Sequence, residues 1–324
     1  MQSNVKTRDF WLEVKKEIIA ELRYLKFNFS WLTNRAITTD VITVSMTKKC
    51  NLNCTYCWDY DNRENIQEMK TEDIFKIIDS TKKMGAKVFN VLGGEPFVRK
   101  DTVEIIQYAL NADLNVTVTT NGTLITEEKC EAIVKNAAFG RLTFHVSLDG
   151  HNEEENDYVR NRGSFKKTIK VIEAIQKYRA LYKTGVGLII NTVISRNNYK
   201  SMMKQLILCR ELKADCVCYI TPTIAADEVR FGMERRKLII QEKEFAELDL
   251  CIDELMKEKL KNPKDILNNC ESLSQFKMFY RRQLEAQEKY FNNYGVTPEN
   301  FDQKEVAMLK ENQERLKQYR IPTA

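Results

Sequence analysis

"VITVSMTKKCNLNCTYC", residues 41–57, joins two signals whose combination decides the fold. Its first six residues, rich in β-branched side chains, read as a short strand. Immediately after them come three cysteines within eight residues, Cys50, Cys54 and Cys57. Three thiols that close together point to a metal, yet a closed zinc site takes four ligands. With only His145 and His151 as imidazoles in the chain, a fourth nitrogen ligand is scarce, although Asp59 or another cysteine would serve. The competing reading is three corners of a [4Fe–4S] cube, with the fourth iron open to a ligand.

Working outward, the same strand-like rhythm recurs in "KVFNVL" (87–92), "LNVTVTT" (114–120), "RLTFHVSL" (141–148), "VGLIINTV" (186–193) and "CVCYI" (216–220). Helical patterns lie between, for example Thr71–Met84, Asp101–Ala112 and Phe165–Tyr182. Repeated βα units imply parallel strands with right-handed crossovers. Six such units with half-polar strands fit an α/β fold of partial (β/α)6 TIM-like barrel type better than a doubly wound sheet. The cysteines then sit at the C-terminal mouth of the first strand, where such barrels carry their chemistry. Before the barrel, Trp11, Val14, Ile18, Leu22 and Leu25 recur at helical spacing. After it, Phe245, Leu248, Cys251, Ile252, Leu255 and Met256 form a helix stripe ended by Pro263, and charged helical sequence continues to Tyr319. The expected organisation is an N-terminal helical segment (1–40), the barrel (41–222) and a helical C-terminal extension (223–324).

The composition excludes several classes. Hydrophobic residues make up 43% and charged residues 30%, with a net charge of +5 and no basic block, so nucleic acid is not indicated. No run approaches the ~18 apolar residues of a membrane span, and the charged N-terminal stretch does not read as a signal peptide. Nine cysteines in such a chain argue for a reducing, cytoplasmic setting and against a disulfide framework.

The other strand ends carry motifs too: "GGEP" (Gly93–Pro96), "TNGT" (Thr120–Thr123), "SLDG" (Ser147–Gly150) and, on the fifth strand, "NTV" (Asn191–Val193). In order and position, residues 41–222 resemble the radical S-adenosylmethionine (SAM) enzymes, in particular the subclass of molybdenum-cofactor cyclases and peptide maturases. The resemblance implies that Cys50, Cys54 and Cys57 ligate one [4Fe–4S] cluster and that SAM chelates the open iron. It further implies reductive cleavage of SAM to a 5′-deoxyadenosyl radical, with a flavodoxin- or ferredoxin-type electron donor.

By the same resemblance, the Gly93, Gly94, Glu95, Pro96 turn holds the SAM ammonium, with Glu95 as its electrostatic partner, and Tyr56 meets adenine. Glycine also lets backbone approach a ligand closely; an ordinary strand-to-helix turn is the plainer alternative. Ser147 and Asp149 match the fourth-strand motif, the serine meeting ribose or carboxylate. Arg160 matches an arginine that pairs with the SAM carboxylate, with Arg162 nearby in register. Asn121 and Asn191 fit ligand-facing positions or simple backbone caps. Relatives with auxiliary clusters carry a cysteine-rich extension, which Cys209, Cys216, Cys218, Cys251 and Cys270 do not reproduce. Cys216 and Cys218 point the same way on the last strand and either pack or reach the interior.

Strand alternation adds a reading independent of family. Leu142, Phe144, Val146 and Leu148 alternate with Thr143, His145, Ser147 and Asp149, and Thr43, Ser45, Asn90, Thr117 and Thr119 follow the same rule. A polar barrel interior predicts a wet cavity that takes a small polar substrate, with His145 and Asp149 as catalytic candidates. The 40 residues before the first strand favour such a metabolite over a ribosomal peptide. A sensory iron–sulfur or zinc protein without catalysis is the third possibility.

Overall fold

Six parallel strands stand in sequence order, β1 (Val41–Ser45), β2 (Val88–Leu92), β3 (Asn115–Thr120), β4 (Leu142–Ser147), β5 (Gly187–Val193) and β6 (Cys216–Ile220). The computed structural model describes residues 39–57, 67–222 and 237–294. Helices α1 (Thr71–Lys83), α2 (Thr102–Asn111), α3 (Glu127–Lys135), α4 (Glu153–Arg160), α5 (Ser164–Tyr182) and α6 (Met202–Glu211) connect the strands. Two more, α7 (Phe245–Lys261) and α8 (Cys270–Tyr294), follow the barrel. The expected partial barrel is what forms. The N-terminal helix and the helical sequence beyond Tyr294 lie outside the described residues.

Alternation along each strand separates two environments. On β4, Leu142, Phe144 and Val146 are 0% exposed, while Thr143, His145 and Ser147 are half-buried on the other face. Phe89 and Val91 on β2 and Val116 and Val118 on β3 extend the apolar layer, against Ile74 and Ile78 of α1, Ile105 and Ile106 of α2 and Ile172 and Ile175 of α5. The helices therefore cover the apolar face, and burial of that continuous layer drives the fold.

The opposite face is polar in rows. Thr43, Asn90, Thr117 and Thr143 are register partners across β1 to β4. One level up, Thr119, His145, Ile189 and Cys216 align, and above them Ser147, Asn191 and Cys218. A barrel interior built for stability alone is filled by Val, Ile and Leu. Here Asn90 donates weakly to Thr43 Oγ1 at 3.4 Å, and its buried Oδ1 finds no partner.

The strand signal does not end entirely at Ile220. Ile266 forms an isolated parallel bridge with Val217, and the Asn268 side chain bonds both Tyr219 N (2.8 Å) and Tyr219 O (2.9 Å). This short segment covers the outer edge of β6, whose N–H and C=O groups would otherwise be unpaired. Leu248, Ile252 and Leu255 of α7 and Leu273, Phe276 and Tyr280 of α8 belong to the same hydrophobic cluster as the barrel's helix layer. The Tyr280 hydroxyl donates to Ile194 O at 2.8 Å.

Phe144 is the largest fully buried side chain on the central strand β4. Phe144→Ala should destabilise the protein by about 3–5 kcal/mol through lost burial and a residual cavity. Urea unfolding checks this, and a loss below about 1 kcal/mol would show a much looser apolar layer.

Candidate functional site

The cysteine loop begins where β1 and β2 stop, but their pairing continues beyond the strands. Met46 N donates to Leu92 O (3.0 Å), Gly94 N to Thr47 O (2.7 Å) and Glu95 N to Lys49 O (2.8 Å). This approach leaves no room for a side chain on the glycines. A Cβ at Gly94 would lie 2.4 Å from Lys49 O and 2.6 Å from Lys48 O, and one at Gly93 (φ +155°) 2.6 Å from Thr47 O. The glycines were expected to admit a ligand, and the backbone leading to Cys50 independently requires them.

The far side of the loop is tied to the end of α4. Thr55 N donates to Val159 O (3.0 Å) and Asn53 N to Asn161 Oδ1 (2.7 Å). Asn161 holds φ +100°, a conformation costly for a residue with a side chain. A third attachment comes from β3. Asn121 Nδ2 donates to Asn51 Oδ1 (3.1 Å) and approaches Cys50 Sγ (3.8 Å), while Asn121 Oδ1 accepts from Thr123 N (2.9 Å).

These attachments turn the loop over a cavity of about 270 Å³ at the barrel mouth. Cys50, Cys54, Tyr56, Cys57, Gly93, Gly94, Asn121, Ser147, Arg160 and Asn191 all line it. Thr119, expected to face the interior, and Thr120 and Val193 of the strand-end motifs also line it, and Ile220, Thr221 and Pro222, which were not expected as site residues, complete the wall. Their strand-end positions were the available signal. Neither Cys216 nor Cys218 is among the lining residues, although Cys218 is level with Asn191, and burial pushes the Cys216 thiol up to about 11.

Three expected residues stand behind the wall instead of in it. Pro96 opens a short 3₁₀ turn and is buried. Glu95 is fully buried, its carboxylate accepting from Phe97 N (3.1 Å), Thr120 Oγ1 (2.8 Å) and Asn121 N (2.7 Å). Burial pushes its carboxyl up, against those hydrogen bonds, which pull it down. Glu95 therefore joins β2 to β3 from behind the wall. Asp149 is likewise 0% exposed, accepting from Arg160 Nε, the Tyr56 hydroxyl and Val193 N. A carboxylate enclosed in this way orients its neighbours and does not itself reach a reacting atom.

The consequence falls on Arg160. Burial works against its charge, but Asp149, Tyr56 and Cys54 together outweigh burial and raise its pKa. With Nε held by Asp149 and its carbon 5.7 Å from the Tyr56 ring centre, the guanidinium is fixed against the cavity. Arg160 also acts on Cys54, whose thiol burial pushes up to about 11 and whose thiolate the guanidinium favours.

His145 lies one level below the cavity. Its Nδ1 is 3.2 Å from Oδ1 of the cavity-lining Asn191, which assigns the proton to Nδ1 and leaves Nε2 as an acceptor. Burial lowers its pKa, partly offset by Asn191, so the imidazole is neutral at pH 7.

Two outcomes follow from this geometry. In the metal-free protein, alkylation of Cys54 should climb about tenfold per pH unit between pH 8 and 10, because the thiol titrates near 11. Arg160→Gln should slow it further by removing the charge that favours the thiolate; a rate flat above pH 8 would contradict the assignment. Gly94→Ala should leave far-UV circular dichroism nearly intact while disrupting the cysteine loop. The readout is iron retained after anaerobic reconstitution, and retention equal to the parent would show that the Cβ is accommodated.

Comparison with known proteins gives this geometry a context. A sequence profile described as "Radical SAM superfamily" matches residues 44–203. The chain is 34% identical over 192 residues to an AdoMet-dependent heme synthase of Methanosarcina barkeri, covering 58% of this chain and 52% of that protein. It is 36% identical over 132 residues to a mycofactocin maturase of Mycolicibacterium smegmatis, covering 41% of this chain and 33% of that one. Streptococcus suis SuiB bound to its precursor peptide SuiA shares the fold with a TM-score of 0.60 at 18% identity, over 80% of this chain and 55% of that one. The chain thus spans about half the length, or less, of the curated relatives it matches. Residues 44–203, which build most of the six-stranded partial barrel, are a domain of the radical SAM superfamily.

Proposed function

We propose that this chain cleaves SAM reductively at a [4Fe–4S] cluster held by Cys50, Cys54 and Cys57, and directs the radical at a small polar substrate in the barrel interior. The cofactors of the superfamily are that cluster and SAM. One observation carries the reading: a single cavity gathers the three thiols with a free-facing arginine and three strand-end polar side chains.

The donor set suits the cluster. Three thiolates around an open cavity match the corners of a cube that leaves one iron for a ligand. When bound, cluster and SAM supply one-electron cleavage and a hydrogen-abstracting 5′-deoxyadenosyl radical. The protein's share is orientation. Arg160 presents to an anionic group the guanidinium edge that Asp149 does not occupy. Ser147 and Asn191 offer a hydroxyl and an amide, the Tyr56 ring offers an apolar face, and the 47–49 backbone fixes where Cys50 stands. A flavodoxin- or ferredoxin-type donor in the cytoplasm would supply the electron; among the described residues no helix is long and apolar enough to cross a membrane.

The polar rows support the substrate class. An interior carrying Thr117, Thr119, Thr143, His145 and an unpartnered Asn90 oxygen is costly unless water or ligand satisfies it. Neutral His145, with Nε2 as acceptor, is suited to receive a hydrogen bond or a proton from such a substrate. A second reading, modification of a peptide, is favoured by the relatives named maturases and by SuiB solved with its precursor peptide.

Anaerobic reconstitution should give about four irons per chain, and SAM should then perturb the cluster's electron paramagnetic resonance signal. About eight irons, with Cys216, Cys218 or Cys270 required for the excess, would overturn the single-cluster reading. His145→Phe should leave SAM affinity within about threefold of the parent while abolishing coupling of SAM cleavage to substrate. An equally coupled His145→Phe variant would remove the imidazole from the substrate site.

A further inference from the structure

The cysteine loop has an outer rim as well as a cavity face. Asn51 and Asn53, which flank buried Leu52, are exposed. Asn51 Nδ2 donates to Thr123 Oγ1 at 2.8 Å, and the same Asn51 accepts from Asn121, the residue that touches Cys50 Sγ. Past Thr123 lies a second open cleft of about 590 Å³ between α3 and α5, lined among others by Lys167, Lys170 and Lys177. Past Asn161, on the other flank, comes exposed Arg162.

The charges there do not cancel. Lys177 pairs with Glu127 and Lys166 with Glu153. Among the described residues, Arg162, Lys167 and Lys170 form no ion pair within 4.0 Å, and Glu173 is the one acidic cleft residue without such a partner. Unpaired exposed lysines contribute little to stability, so a cluster of them beside the cysteine loop acts chiefly as a field toward solvent.

We propose that this rim, centred on Asn51 and flanked by Arg162, Lys167 and Lys170, is the docking surface of an acidic one-electron carrier protein of the flavodoxin or ferredoxin class. The inference rests on the proposed function, which requires one electron at the cluster for each SAM cleaved. The carrier is oxidised by one electron, the cluster is reduced by one, and no atom changes hands. Among the described residues the rim suits this exchange because exposed Asn51 bonds Asn121, which touches the half-buried Cys50 Sγ, while the other side of the loop faces the cavity. A basic rim steers a many-charged acidic protein strongly and a small anionic reductant far less, since the small ion carries few charges and needs no docking orientation.

The test uses the full, anaerobically reconstituted chain and two reductants, flavodoxin hydroquinone and dithionite, followed by stopped-flow bleaching of the cluster. In Arg162→Glu/Lys167→Glu/Lys170→Glu, reduction by flavodoxin hydroquinone should fall at least about tenfold at low salt and lose its salt dependence. Iron content and the dithionite rate should match the parent. The milder Lys167→Gln/Lys170→Gln variant should fall between. An unchanged flavodoxin rate, or equal slowing with both reductants, would overturn the proposal. A parent that takes up no cluster would overturn the proposed function as well, and iron analysis reports that outcome separately.

Discussion

Two hydrogen bonds, Gly94 N to Thr47 O and Glu95 N to Lys49 O, set the position of everything else in the site. They continue the β1–β2 pairing past the strand ends, so the segment before Cys50 is held as part of the sheet. Because the sheet is the most deeply packed layer of the molecule, the loop inherits its rigidity. Two Cβ atoms at positions 93 and 94 would break this contact by overlap with carbonyl oxygens at 2.4–2.6 Å. Sites built on scaffold strands hold their geometry more tightly than sites on free loops. The barrel thus converts a mobile type of sequence, a cysteine-rich loop, into a fixed donor set.

A second arrangement orients the charge. Asp149, at the end of β4, collects Arg160, Tyr56 and the Val193 amide around one buried carboxylate. Removing Asp149 alone would leave the buried Arg160 charge without its partner, which costs more than the pair contributes. The same carboxylate therefore links β4, β5, α4 and the cysteine loop, and couples the arginine at the cavity to the thiol of Cys54. Glu95 does the corresponding work between β2 and β3. Both acids come from motifs that look like ligand contacts in sequence, and both are buried behind the cavity wall, bonded to its framework.

That difference shows what the sequence could and could not reveal. Period-2 alternation made all six strands legible to within a residue at each end, because one face is wholly apolar and the other is not. The resemblance named ten of the cavity-lining residues, nine of them at or just beyond strand ends, which a parallel sheet brings together, and Arg160 at the end of α4. Whether a carboxylate faces the cavity or the framework depends on a turn of one residue and on partners far away in sequence, as with Glu95 and Thr120. Asn161 was invisible too. Its role depends on a left-handed backbone at the end of α4 and on Asn53, 108 positions earlier. The bridge at Ile266 eluded the periodicity because one residue has no period.

The central claim is that the cavity beneath Cys50, Cys54 and Cys57 splits SAM. The most direct measurement is 5′-deoxyadenosine formed by dithionite-reduced, cluster-loaded protein, beside a Cys54→Ala variant treated identically. Slow formation by the parent and none by the variant is the predicted result. SAM recovered intact from a parent shown to carry its full cluster would contradict it.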